Sequence, residues 1–301
     1  MAHLFMTGGT GFIGRRLCQL ALDQGMEVSV LSRKSSQQVK ALCGASVRSI
    51  TAIANLSSLP PIDHVINLAG EPILGKRWSS KRKQILRESR IELTHQLVNN
   101  LARLPNKPAT LISGSAIGIY GDTGEHSCSE TQPANSDFAA ILCRDWERAA
   151  QPVTALKTRL CIVRIGVVLD SSGGPLQKML LPFRLGLGGK IGNGQQWFSW
   201  ISLDDLCALI FHLIQNKDCA GVFNATAPHP VRNLEFTQLL AERLHRPTLL
   251  PVPGITLKAV LGESASLLLG SQKVIPEAIH KTGFVFQHPT LSQALESMIS
   301  T

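Results

Sequence analysis

The sequence predicts an α/β protein built on a doubly wound parallel sheet, with a smaller, mainly helical domain following it. Three observations carry that expectation. In the first half, short apolar β-rich runs alternate with helical periods, the pattern of β-α-β units whose sheet is buried on both faces. A glycine-rich turn, "MTGGTGFIGRR", joins the first apolar run to the first helical period. After Asp170 the texture changes to a Gly-rich irregular stretch and then to helical segments broken by the proline-rich joints "RPTLLPVPG" and "QHPT".

Each element follows in order. "HLFMT" reads as a short buried strand, "GFIGRRLCQLALDQG" as a helix closed by Gly25, and "MEVSVL" as the second strand. "VRSI" and "HVINLA" are further strands. A long helix opens in "GKRWSSKRKQILRESR", capped by Ser79 or Ser80, with Leu86, Leu93, Leu97, Leu101 and Leu104 along one face. "ATLISGS" is a strand, "FAAILCRDWERAA" a helix and "RLCIVRIGVVLD" another strand. "SLDDLCALIFHLIQ" is helical, with Ser202, Asp204 or Asp205 as its cap, and "GVFNATA" is the last strand. The sheet domain is expected over residues 1–170, with 202–227 returning to it. Residues 171–201 and 228–301 form the substrate-side segments and C-terminal domain.

A chain of 301 residues, 44% hydrophobic, can build such a core. No apolar run approaches the ~18 residues of a membrane span, and the first strand begins too early for a cleaved leader, so a cytoplasmic protein without membrane contact is expected. The seven cysteines are scattered without a C-x-x-C pair, and the nine histidines offer no H-x-x-x-H, so no metal site is expected. "RRLCQLAL", "RLCIVRIG" and "DDLCALIF" read as buried reduced thiols. The formal charge is +9 and is densest from Lys76 to Arg90, either a solvated helix face or an attraction for a phosphorylated ligand. Nucleic acid is not expected, because the chain has one tyrosine and no aromatics interleaved with its basic residues.

Gly8, Gly11 and Gly14 form G-x-x-G-x-x-G in a strand-turn-helix context, with Thr10, Phe12 and Ile13 between them. Small residues there permit a tight turn, bring backbone N–H groups to a pyrophosphate and let the helix pack close to the strand. The positive helix end then faces the phosphates. A dinucleotide site is therefore expected. Past the second strand stand Ser32, Arg33 and Lys34, where an NAD-preferring protein would place a carboxylate for the ribose 2′-hydroxyl. A hydroxyl and a guanidinium fork favour a 2′-phosphate, hence NADP(H). The Walker spacing from Gly9 to Gly14 fails at Arg15 and Arg16, and "SGSAIG" is not a nucleophile elbow.

Together "TGGTGFIG", "INLAGEPI", "SGSAIGIYGD", "LPFRLGLGGKIGNGQQWFSWISLDDL" and "SQKVIPEAIHKTGFVFQHPTLSQAL" run along nearly the whole chain. They resemble the extended short-chain dehydrogenase/reductase superfamily, and more narrowly its NAD-dependent epimerase/dehydratase-like "epimerase family" branch with a C-terminal domain of unknown function (DUF1731-like). The resemblance implies a Rossmann-like sheet. Asn67, Leu68, Ala69 and Gly70 would lie beside the adenosine ribose and pyrophosphate, Ser113 near the nicotinamide, and Gly166, within "RIGVV", near the carboxamide. It also implies a small-molecule substrate, sugar-nucleotide-like or another hydroxyl or carbonyl compound. A homo-oligomer is a further expectation.

The superfamily's Tyr-x-x-x-Lys pair is missing. Aligned on Glu147, its two positions read Ala139 and Cys143, and the single tyrosine, Tyr120, has Gly124 four residues later. Three residues are candidate substitutes. Ser115 matches the superfamily's catalytic hydroxyl, or else bonds its own backbone. Tyr120 follows that strand as a possible acid, without a lysine to tune it. Glu71 would project from a strand end as a desolvated proton carrier. Cys143 reads as a thiol or as a buried helix cysteine. Lys190, Gln196 and Trp197 are the expected substrate contacts; Trp197 and Trp200 read equally well as lid packing. The function expected is an NADP(H)-dependent oxidoreductase or epimerase-like enzyme with an atypical proton donor, the alternative being a non-catalytic NADP(H)-binding sensor.

Overall fold

The computed structural model describes residues 1–248 and 250–299. Seven parallel strands form the central sheet: β1 (His3–Thr7), β2 (Glu27–Leu31), β3 (Arg48–Ile50), β4 (His64–Asn67), β5 (Thr110–Ala116), β6 (Arg159–Ile165) and β7 (Gly221–Ala225). Their order is β7-β6-β5-β4-β1-β2-β3. The order reverses beside β1, which puts a crevice at the carboxyl ends of β1 and β4.

Helices cover both faces. The side chains of β1 alternate between two cores, as the strand period requires. Leu4 and Met6 join Leu17 and Cys18 of α1 (Phe12–Asp23) and several residues of a helix at Leu203–Gln215. Phe5 faces the opposite layer, with Val65, Leu97, Leu101 and Leu111. A third core, around Trp200, Leu176, Phe236, Leu240 and Leu295, holds the later segments together. Among the described residues no helix is long and apolar enough to cross a membrane.

Two elements depart from the sequence expectation. The basic helix is capped by Ser79, whose hydroxyl accepts from Arg82 N at 3.2 Å, but it runs as Ser80–Arg87, a π turn over Glu88–Glu92, then Leu93–Leu101. The extra residue in that turn shifts the apolar face, so Leu86, Leu97 and Leu101 are buried while Leu93 is only half-buried. "RLCIVRIGVVLD" is likewise two strands. The chain leaves the sheet at Gly166, where a Cβ would stand 2.9 Å from Ser199 O, and Val167–Leu169 pairs instead with Trp200–Ser202. Small two-stranded pairs also join Trp197–Phe198 to Val231–Arg232 and Ser127–Cys128 to Lys273–Val274. These pairs bring the Gly-rich segment and the C-terminal region to the carboxyl edge of the sheet.

Candidate active site

The glycine loop leaves β1 with Gly8 at φ +75°, and a Cβ there would stand 2.7 Å from the Leu68 carbonyl carbon. A Cβ on Gly14 would approach Gly8 O to 2.3 Å, and one on Gly9 would meet the Val30 side chain at 2.7 Å. These glycines thus let β1, β4 and α1 approach closely. Gly11 is the N-cap of α1 and brings no side chain to its amides. The loop is therefore a cradle of backbone donors at a positive helix end, which fits a pyrophosphate. Phe12 packs its ring against Gly173 and Gly174, where a Cβ would come within 2.4 and 2.8 Å of the ring. Thr10 and Ile13 are partly exposed on the same turn.

Below the cradle, the side chains of Asn67 and Ser113 are buried. Thr7 Oγ1 donates to Asn67 Oδ1 at 2.7 Å, and Asn67 Nδ2 donates to Thr94 Oγ1 at 2.8 Å and to Ser113 Oγ at 3.4 Å. Ala69 N donates to Thr7 Oγ1 at 3.2 Å. Asn67 and Ser113 thus tie the strand ends together, and Leu68, Ala69 and Gly70, which follow β4, are less buried.

Ser32 is buried and accepts from Lys34 N at 3.1 Å, while Arg33 stands out in solvent. Arg33 Nη2 reaches Glu71 Oε1 at 3.2 Å, spanning the end of β1 between its two neighbours. Arg82, buried, meets Glu71 Oε2 at 3.4 Å, and Arg90 donates to Glu71 O at 2.9 Å. Arg33 first, with Arg82, holds the Glu71 carboxyl below the usual carboxylate range. The two guanidinium groups thus favour the charged form of Glu71 over the desolvated proton carrier expected from sequence.

The other two catalytic nominees are hydrogen-bonded inside the protein. Ser115 Oγ donates to Glu147 Oε1 at 2.7 Å, and Glu147 is in a two-pronged ion pair with Arg164 at 2.8 and 3.0 Å. Arg164 Nη1 donates to the Tyr120 hydroxyl at 3.0 Å, and that hydroxyl donates to Asn224 Oδ1 at 2.6 Å. Tyr120 is 2% exposed, and burial pushes its pKa up to about 12. Ser115 and Tyr120 are parts of one closed interior network. Cys143 lies in the same interior, its thiol pushed by burial up to about 11. A buried neutral thiol is a poor nucleophile.

A cavity of about 640 Å³ opens beside this network. Ala139 lines it together with Gly118, Gly121, Asp122 and Asp137. The C-terminal region supplies Lys258, Glu263, Ser266 and Gln272 to the facing wall. Gln272 is fixed by donating to Gly121 O at 2.9 Å and Ile117 O at 3.2 Å. Lys190, Gln196 and Trp197 do not line it. Gln196 donates to Ile191 O at 3.1 Å and Leu268 O at 3.2 Å, which makes it a brace of the Gly-rich segment. Trp197 donates to Glu125 Oε2 at 3.0 Å beneath the side chains of Arg232 and Lys273. Trp200 is fully buried packing. The cavity wall that sequence reading missed comes from sites far apart in the chain. In the sequence, "YGD", "SQKVIPEAI" and Ala139 of "FAAILCRDWERAA" mark parts of it, but nothing there marks the Lys258–Leu269 side.

Comparison with known proteins accords with this geometry. The family model described as "NAD dependent epimerase/dehydratase family" matches residues 4–225, and "Domain of unknown function (DUF1731)" matches residues 252–298. The chain is similar to the chloroplastic "Epimerase family protein SDR39U1 homolog" of Arabidopsis thaliana, 40% identical over 98% of this chain and 86% of that one. It is also similar to the human epimerase family protein SDR39U1 (isoform 2), solved with NADPH: 36% identity, 98% of both chains covered and a TM-score of 0.90. The Bacillus cereus UDP-glucuronic acid 4-epimerase, solved with UDP-glucuronic acid and NAD, shares the fold at 20% identity and a TM-score of 0.77, over 98% of this chain and 97% of that one. The chain belongs to the NAD-dependent epimerase/dehydratase family.

Proposed function

We propose that this family member is an NADP(H)-dependent oxidoreductase or epimerase-like enzyme that works without the Tyr-x-x-x-Lys pair. The observation that carries the reading is the cavity at Ala139, open where the superfamily's tyrosine would stand and walled by the C-terminal region. NADPH in the human relative supports NADP(H) over NAD(H), as does Arg33 beyond β2. The bound nicotinamide would supply or accept a hydride. The amides of the first turn of α1, from Phe12 onward, would hold the pyrophosphate, and Arg33, oriented by Glu71, would meet the 2′-phosphate. With Ser115, Tyr120 and Glu71 engaged elsewhere, the proton that accompanies the hydride is exchanged with a group lining the cavity or with water inside it.

A second reading, a non-catalytic NADP(H)-binding sensor, is favoured by one observation: all three polar nominees at the strand ends are locked into structural contacts. Titration of the protein with NADPH and NADH, followed by nicotinamide fluorescence, tests the part common to both readings. Preference for NADPH of at least about tenfold is expected from one charge-assisted contact to the 2′-phosphate. Equal affinities would remove the role given to Arg33.

A further inference from the structure

Lys258 is the only cation among the residues that line the cavity, and none of the hydrogen bonds or ion pairs among the described residues uses its side chain. The three carboxylates of the lining are each engaged. Glu263 pairs with Lys83 Nζ at 2.6 Å. Asp137 caps its helix, accepting from Ala140 N at 2.8 Å. Asp122 Oδ1 accepts from Ser271 N and Gly124 N, both at 3.1 Å. Lys258 is thus a cation with no side-chain partner among the described residues, on a wall otherwise made of small, apolar, neutral polar and acidic groups.

That charge pattern discriminates between substrates. A nucleoside diphosphate sugar brings about two negative charges in its linkage, and recognition of such a group calls for arginine forks or several cations. No arginine lines this cavity. Arg77 packs its guanidinium on Gly262, a residue of the lining, without itself lining the cavity. Arg232 is committed to Glu125 at 2.8 and 2.7 Å and stacks, as Lys273 does, on Trp197. A diphosphate placed in the cavity would face Asp122, Asp137 and Glu263, the last already paired with Lys83, with Lys258 as the only cation of the lining itself. A single carboxylate or phosphate monoester matches Lys258 one to one, and Ser266 and Gln272 remain for a hydroxyl or carbonyl.

We propose that the cavity takes a small substrate bearing one anionic group and a carbonyl or hydroxyl, with Lys258 as the residue that selects the anion, and that it does not take a nucleoside diphosphate sugar. This rests on the reading of the cavity as the substrate site of an NADP(H) enzyme. Lys258 is exposed and has no side-chain partner among the described residues, so its replacement leaves the fold intact.

The test uses the full-length protein loaded with NADPH. Nicotinamide fluorescence reports cofactor binding, and its further change reports occupancy of the cavity. The probes are short 2-oxo and 3-oxo monocarboxylates and their uncharged methyl esters, with UDP-glucose as the competing class. Monocarboxylates are expected to perturb the signal, and their esters and UDP-glucose are not. Lys258→Met should weaken the monocarboxylates at least about tenfold and Lys258→Arg should largely restore them, with NADPH affinity unchanged in both variants. Saturation by UDP-glucose, equal binding of acids and esters, indifference to Lys258→Met, or no response to any monocarboxylate would overturn the proposal. Failure of NADPH itself to bind is a different result, and would overturn the cofactor reading beneath it.

Discussion

The phenolic hydroxyl of Tyr120 donates to the side-chain oxygen of Asn224 across 2.6 Å, joining the loop after β5 to the last strand of the sheet. The single tyrosine of the chain is therefore a structural cross-link. Tyr120→Phe should leave turnover within about twofold and lower unfolding stability by about 1–2 kcal/mol, because Asn224 Oδ1 and Arg164 each lose a partner. Chemical denaturation beside a kinetic assay checks both. A large loss of kcat with unchanged stability would return Tyr120 to the chemistry.

The same residue gives a direct pH readout. Burial raises the folded-state pKa to about 12 from 10.0, so the neutral phenol's contribution is complete below the unfolded value and is lost as pH rises through the folded one. Phenolate absorbance should appear in the native protein only near pH 12, and in the denatured chain near pH 10. Native titration near 10 would mean that Tyr120 reaches solvent.

Glu71 titrates on the other side. Arg33 depresses its pKa, so its ion pairs persist above the ordinary carboxylate range and are lost only as pH falls through the lowered value. Glu71→Gln is expected to leave the shape of the kcat profile unchanged from neutral pH to roughly pH 5, since no proton moves on this group there. A limb of the profile that vanishes in the variant would make Glu71 a proton carrier after all.

Glu147 and Arg164 form a buried two-pronged pair. Glu147→Ala should cost about 3–5 kcal/mol by leaving the guanidinium uncompensated, measured by denaturant unfolding. A cost under about 1 kcal/mol would mean that water relieves Arg164.

Much of this was legible in the chain, for reasons tied to particular residues. β1, β2, β4 and β5 are short apolar runs buried on both faces, and Gly8 and Gly14 stand where backbone crowding tolerates no Cβ. Those constraints are local, so the sequence exposes them. The partners of Ser115, Tyr120 and Glu71 are not local. Glu147 lies 32 residues from Ser115, and Asn224 lies 104 from Tyr120. A polar residue after a strand looks the same whether it faces a ligand or a buried partner. The π turn at Glu88–Glu92 was hidden as well, since its surroundings keep an ordinary helical pattern. Lys258 was invisible because the cavity that gives it meaning is closed only by the fold.

The most direct test of the central claim follows the absorbance of reduced nicotinamide in purified protein loaded with NADPH, while fractions of a cytosolic metabolite extract are added. The expected result is loss of that absorbance in at least one fraction, retained in Tyr120→Phe and reduced in Ala139→Trp, whose indole would intrude on the cavity wall. NADPH bound tightly, with no loss in any fraction and no isomerised product in the same mixtures, would contradict an enzyme and leave a sensor.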